Sequence, residues 1–264
     1  MKKVINISLV IIIVCCATFI GHKYYNYYKD DKFNSEMEEL APMINEVVLN
    51  NSNEALSNNE DLNSSDDNAD SQPKEEVKGD IALENENELK SINSDYQMWL
   101  QVDNTEINYP VVQTIDNSYY LEHNFRKESN ISGTIFVDYL NNIETDKNLV
   151  IYGHNMRNGT MFNNLNKYKD AQFFSSNNTI NIVREGNVYK YEVFSVYVEK
   201  AKDLNHGITF ATADDFLNYV AGVRGKSIYN RDIDISENDK LITLVTCSYE
   251  FTDARTIVVA VQSE

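Results

Sequence analysis

Cys247 ends the apolar run Leu241-Ile242-Thr243-Leu244-Val245-Thr246 and is followed at once by polar Ser248. His154 comes one glycine after another apolar run, Asn148–Tyr152, and Arg255 stands just ahead of a third, Thr256–Val261. A thiolate is a strong nucleophile, an imidazole moves protons near neutral pH, and a guanidinium keeps a permanent positive charge available to a developing oxyanion. Brought together, the three groups could cleave an acyl bond through a covalent intermediate. Taken singly, each has a plainer reading. A lone cysteine at a strand end is commonly a small buried hydrophobe, and a strand-end histidine is commonly structural. His123 and His206 lie in polar loop contexts and are weaker candidates than His154.

The elements that must position these residues are mostly β. Eight short runs separated by polar turns read as strands: Trp99–Val102, Ile107–Gln113, Gly133–Asp138, Asn148–Tyr152, Thr179–Val183, Val188–Val198, Leu241–Cys247 and Thr256–Val261. They predict a closed barrel or a sandwich. The short connection after Cys247 makes the last two strands antiparallel neighbours, so Cys247 and Arg255 share one rim. Arg184-Glu185-Gly186-Asn187 predicts a tight hairpin turn, and Gly153 permits an unusual backbone turn ahead of His154. Leu89, Ile92, Tyr96 and Trp99 recur at helical spacing and predict an opening helix near 83–93. Met161, Leu165 and Tyr168 mark a short helix. A longer one is predicted over 212–225, with Thr212 as N-cap, Asp215 three residues later, and Phe216, Val220 and Val223 buried.

Charge divides the chain. Its 264 residues include 41 acidic and 23 basic ones, for a net charge of -18. This argues against a nucleic-acid partner, because no positive field attracts phosphate. Three cysteines in such a length exclude a disulfide-stapled mini-protein, and a single long apolar run excludes a polytopic membrane protein. That run, Val4–Ile20, follows Lys2 and Lys3, leads into Tyr24, Tyr25, Tyr27 and Tyr28, and encloses Cys15 and Cys16. It predicts an N-terminal signal-anchor over 1–30, a single pass through the membrane with the rest of the chain outside the cell. Residues 31–80 are read as an acidic linker or stalk. A weak helical pattern runs from Phe33 to Leu49, and the Asn-, Ser-, Asp- and Glu-rich stretch that follows buries too little surface to fold alone. The folded part is expected over 81–264.

Thr243-Leu244-Val245-Thr246-Cys247 resembles the TLxTC signature of sortases, the cysteine transpeptidases of Gram-positive cell surfaces. Tyr152-Gly153-His154-Asn155-Met156 is similar to the histidine segment of that family, and Arg255 matches its arginine. The likeness extends over about 170 residues from Leu89 onward. Ile92–Tyr96 with Trp99-Leu100, Asn108–Gln113, Asp116–Leu121 and the helix over 212–225 are similar to the class B branch. Val245 departs from it, since many class B enzymes carry serine there. The resemblance implies an eight-stranded sortase-type β-barrel with N-terminal helices and a long helix between strands 6 and 7.

It also implies a two-step acyl transfer. The Cys247 thiolate attacks the threonine carbonyl of a C-terminal sorting signal on a secreted protein. His154 protonates the leaving amine and later deprotonates the incoming one, while Arg255 holds the substrate and its oxyanion. An amine on a peptidoglycan precursor, or on a pilin in a pilin-polymerising variant, resolves the thioacyl intermediate. A surface binding module without transfer activity and a plain cysteine hydrolase are the alternatives. Thr246, Ser248, Tyr249, Glu250 and Asn155 are candidates for the substrate groove. No cofactor is implied, and no metal site is legible: the histidines lie far apart in sequence and no Cys pair accompanies them.

Overall fold

The computed structural model describes residues 2–41, 74–204 and 207–263. The chain divides into two compact units after residue 39. The first unit is one helix, α1 (Lys2–Glu38). It runs through the expected anchor and on into the expected stalk. Ile11, Ile12, Ile13, Val14, Phe19 and Ile20 are 53–72% exposed on it. Among the described residues no helix is long and apolar enough to cross a membrane, so the predicted span over 1–30 is not seen there. The helical pattern read over 33–49 is met as far as Glu38. Residues 42–73, with most of the acidic stretch, lie outside the described residues.

The second unit opens with α2 (Lys74–Ile92), which starts earlier than the 83–93 helix predicted. Leu89 is fully buried, and buried Glu86 accepts from the Gly186 amide at 2.7 Å and the Tyr96 hydroxyl at 3.3 Å. A helix that anchors a carboxylate on two donors of the sheet is tied down by more than apolar contact.

The strands are β1 (Tyr96–Val102), β2 (Asn108–Val112), β3 (Ile135–Val137), β4 (Asn148–Tyr152), β5 (Thr179–Arg184), β6 (Asn187–Lys200), β7 (Tyr229–Asn230), β8 (Leu241–Cys247) and β9 (Ala254–Gln262). Eight of them pair in the order β5-β1-β2-β3-β4-β8-β9-β6, and β6 pairs back onto β5 to close a barrel. Two-residue β7 is an outer appendage on β6. The eight ring strands are the eight predicted from the sequence. Glu185 and Gly186, both at positive φ, make the β5–β6 hairpin turn, as the twist of antiparallel strands requires.

β8 is buried on both faces, which explains its unbroken apolar run. Ile242 and Leu244 enter the barrel core with Met98, Leu100 and Val258, while Leu241 and Val245 join a second core. That second core is covered by helix α4 (Ala213–Lys226), which follows the short α3 (Ala171–Ser176) in chain order. α4 buries Phe216, Val220 and Val223, and the predicted Thr212–Asp215 capping box is formed in full. It is the long helix expected between the sixth and seventh barrel strands.

Candidate active site

Two features of the topology bring the candidate residues to one rim. β4 and β8 are parallel, so both end at the same side of the barrel. β9 is antiparallel to β8 and starts where β8 stops, with Cys247 and Arg255 directly opposed in the ladder. Past Tyr152, the Gly153 amide still donates to the Val245 carbonyl at 3.2 Å, and the Thr246 hydroxyl donates to the Gly153 carbonyl at 2.8 Å. These bonds carry the β4–β8 register one residue further and deliver His154 to the cysteine's side.

Gly153 is glycine because of space rather than conformation. It is not among the residues at positive φ, contrary to the unusual turn anticipated from sequence. A Cβ there would lie 2.4 Å from Ile135 Cδ1 and 2.8 Å from Phe162 Cγ.

Cys247, His154 and Arg255 line one cleft of about 340 Å³. Thr246, Gly153, Val245 and Tyr152 complete the strand-end wall. Asn117, Leu121 and Phe136 face them from the β2–β3 side, and Ala201 and Leu204 follow β6. All three catalytic candidates are half-buried. No hydrogen bond joins the His154 ring to Cys247. His154 Nε2 lies 2.8 Å from the Leu121 carbonyl, and a carbonyl only accepts, so this contact assigns the hydrogen to Nε2. Arg255 Nη1 donates to the Ala254 carbonyl at 3.0 Å. Glu199, its cross-strand neighbour on β6, is taken by Lys226 at 2.7 Å. Arg255 thus has no carboxylate partner among the described residues and keeps donors for a ligand.

Asn117 and Tyr152 were not anticipated as cleft residues. Asn117 Nδ2 and the Tyr152 hydroxyl both donate to Asp138 Oδ2, at 3.0 and 2.8 Å. Burial, with the Asp138 charge behind it, holds the Tyr152 hydroxyl well above its ordinary pKa. The signal for them in the sequence was membership of the family-like segments Asp116–Leu121 and Tyr152–Met156, and the structure folds Asp116-Asn117-Ser118 into a turn. Asp116 Oδ1 accepts from the Ser118 and Tyr119 amides there and fixes the loop.

Of the groove candidates, Thr246 lines the cleft and the other four do not. Asn155 turns to the backbone, donating to the Cys247 carbonyl at 2.8 Å. Ser248 is buried outside the cleft, Tyr249 is 74% exposed, and Glu250 pairs with Lys169. The loop folds back on itself at this point: the Ser248 amide donates to the Ala254 carbonyl, and Asp253 takes positive φ. His123 stacks on Tyr119 with ring centroids 4.1 Å apart and does not line the cleft, and His206 lies outside the described residues. Among the described residues no cluster of three His, Cys, Asp or Glu side chains could hold a metal ion.

Residues 100–263 match the sortase domain family. Sortase B of Listeria monocytogenes is 41% identical over 165 residues, covering 62% of this chain and 67% of that protein. Sortase B of Staphylococcus aureus is 32% identical over 175 residues, covering 65% and 72%. Among solved structures, a mutant form of Clostridium perfringens sortase B superposes with a TM-score of 0.74 at 36% identity, covering 89% of this chain and 98% of that one. The ends of β4, β8 and β9 that gather a histidine, a cysteine and an arginine at one rim therefore sit in a chain that belongs to the sortase family, in its B class of cysteine transpeptidases.

Proposed function

We propose that the protein cleaves a C-terminal sorting signal after threonine and joins the released acyl group to a cell-wall peptide amine, with Cys247 as nucleophile, His154 as general acid and base, and Arg255 as oxyanion and substrate donor. The observation that carries this reading is the Cys247–Arg255 ladder pair beside His154 in one cleft. The Cys247 thiolate adds to the threonine carbonyl. The new C–S bond forms as electrons move to oxygen, where the Arg255 guanidinium meets the charge. The intermediate collapses by expelling the amine, which takes a proton from His154. An incoming amine then attacks the thioester, His154 removes its proton, and the thiolate leaves.

His154 has no hydrogen bond to the thiol. This suits a group that acts on the amines across the substrate rather than one held in a fixed thiol–imidazole pair. A Staphylococcus aureus sortase B structure at 30% identity is a substrate complex, which supports a peptide ligand for this cleft. The exposed apolar residues 11–14, 19 and 20 of α1, with Lys2 and Lys3 ahead of them, support a membrane tether at the outer cell surface.

Transfer and hydrolysis are separated by the product. The full chain is incubated with threonine-bearing sorting peptides, with and without triglycine, and the products are weighed by mass spectrometry. A peptide–triglycine product that displaces hydrolysate as triglycine rises supports transfer. Hydrolysate alone at every triglycine concentration would assign a hydrolase instead.

A further inference from the structure

Between β4 and α3 the chain forms a 3-10 helix, Phe162–Lys169, eight residues long. Such helices rarely exceed three or four residues, because their hydrogen bonds are poorer than those of an α-helix. Their geometry offers alignment instead: at three residues per turn, every third side chain stacks in a straight row. The row Phe162, Leu165 and Tyr168 enters the barrel core. The next row is Asn163, Asn166 and Lys169, and it meets the strand ends that hold the site. Asn163 Nδ2 donates to Asn155 Oδ1 at 2.7 Å, and Asn155 Nδ2 donates to the Cys247 carbonyl at 2.8 Å. Asn166 Oδ1 accepts from Thr256 Oγ1 at 2.9 Å, one residue past Arg255, and from Lys169 Nζ at 2.8 Å. Lys169 pairs with Glu250 in the loop that joins β8 to β9. In an α-helix, at about 100° per residue, the same three positions would fan over about 120° and lose this common line.

We propose that this polar row is a brace that sets the position of Cys247 against Arg255, with Asn155 as a positioning residue acting through the Cys247 backbone. The inference rests on Cys247 being the nucleophile. Asn155 suits the task because its amide accepts on one side and donates on the other. It thereby transmits the placement of the helix to the end of β8. It lies outside the cleft lining, so it acts without touching substrate.

The test uses the full chain in five forms: wild type, Asn155→Ala, Asn163→Ala, the double variant and Cys247→Ala. Quenched threonine-bearing peptides with triglycine give kcat and KM, and melting gives Tm. Asn155→Ala should lower kcat by about 10- to 100-fold with KM within about twofold, since small misplacements of a reacting group cost that much. Asn163→Ala should do the same more weakly. The double variant should fall no further than Asn155→Ala, because Asn163 reaches Cys247 only through Asn155. Unchanged kcat in Asn155→Ala, a loss carried by KM, or additive losses in the double variant would each overturn the brace. If Asn155→Ala melts below the assay temperature, the kcat and KM of Asn163→Ala decide by the same rule. Turnover that Cys247→Ala leaves intact would instead overturn the nucleophile reading, and the brace with it.

Discussion

Gly153→Ala inserts one methyl group where the site is most tightly built. Its Cβ would stand 2.4 Å from Ile135 Cδ1, 2.8 Å from Phe162 Cγ and 2.9 Å from Phe162 Cδ2, whereas ordinary contact begins at 3.4 Å. The Ile135 methyl is the end of a flexible side chain and can swing aside. Phe162 Cγ is the root of a buried ring, so the ring and its backbone must retreat by about 0.6 Å. Phe162 opens the 3-10 helix, and its amide donates to the His154 carbonyl at 2.9 Å. The displacement therefore reaches both His154 and Asn163. Overpacking of this kind costs about 1–3 kcal/mol. In a unit of about two hundred residues each kcal/mol lowers Tm by about 2–4 °C, so the melt should fall by about 2–12 °C. Misplacing His154 should lower kcat by about 10- to 100-fold. Melting by circular dichroism and peptide turnover at 25 °C, below both transitions, measure the two effects separately. Adding Phe162→Leu should recover part of each by opening the space. A variant with wild-type Tm and wild-type kcat would refute the claim that close packing at Gly153 sets the histidine.

Arg255→Lys keeps the charge and loses the two-pronged guanidinium. It should lower kcat/KM by about 10²–10³-fold, the usual loss for one oxyanion donor, with Tm nearly unchanged because the side chain has no carboxylate partner among the described residues. Equal turnover would remove the fork from the mechanism. Glu86→Ala strands the buried Tyr96 hydroxyl and the half-buried Gly186 amide and should cost about 1–3 kcal/mol in melting while leaving kcat alone. A change in kcat at full stability would link α2 to the chemistry. Burial raises the hydroxyls of Tyr96, Tyr152, Tyr168 and Tyr197 well above 10.0, and pushes Tyr191 up to about 12. A raised folded pKa means this stabilisation is complete below pH 10.0 and is lost as the pH climbs through the folded values. Phenolate absorbance should therefore rise in two steps, exposed tyrosines first and buried ones together with loss of near-ultraviolet dichroism. A single step with the dichroism intact would contradict the burial of these rings.

The barrel was legible because its strands carry strong local signals. β8 reads as a continuous apolar run since both its faces are buried, and the 184–187 turn carries the Gly186 that a tight hairpin needs. Thr212 and Asp215 announce the start of α4 by their spacing. The catalytic candidates were legible for a related reason: each stands where an apolar run stops or starts. Less visible was everything set by contacts distant in sequence. Asn117 and Leu121 enter the cleft from a loop fixed by its own turn chemistry, which no periodicity reports. Ser248, Tyr249 and Glu250, candidates for the groove, do not line the cleft of Cys247, because the chain turns back after the strand. Gly153 was assigned a special backbone conformation, yet its need is for room beside Phe162, a partner nine residues away. Leu165 and Tyr168 fall in the predicted short helix while Met161 stands just ahead of it at positive φ, because the four-residue spacing read from the sequence did not distinguish the tighter three-residue turn that aligns Asn163 with Asn166.

The most direct measurement is the intact mass of the full chain after brief mixing with threonine-bearing sorting peptides, for wild type and Cys247→Ala. A Cys247 nucleophile predicts a wild-type adduct equal to the peptide portion ending at threonine, absent from the variant and discharged when triglycine is added. An adduct that persists in Cys247→Ala, or peptide turnover that proceeds in it at the wild-type rate, would contradict covalent catalysis at this cysteine.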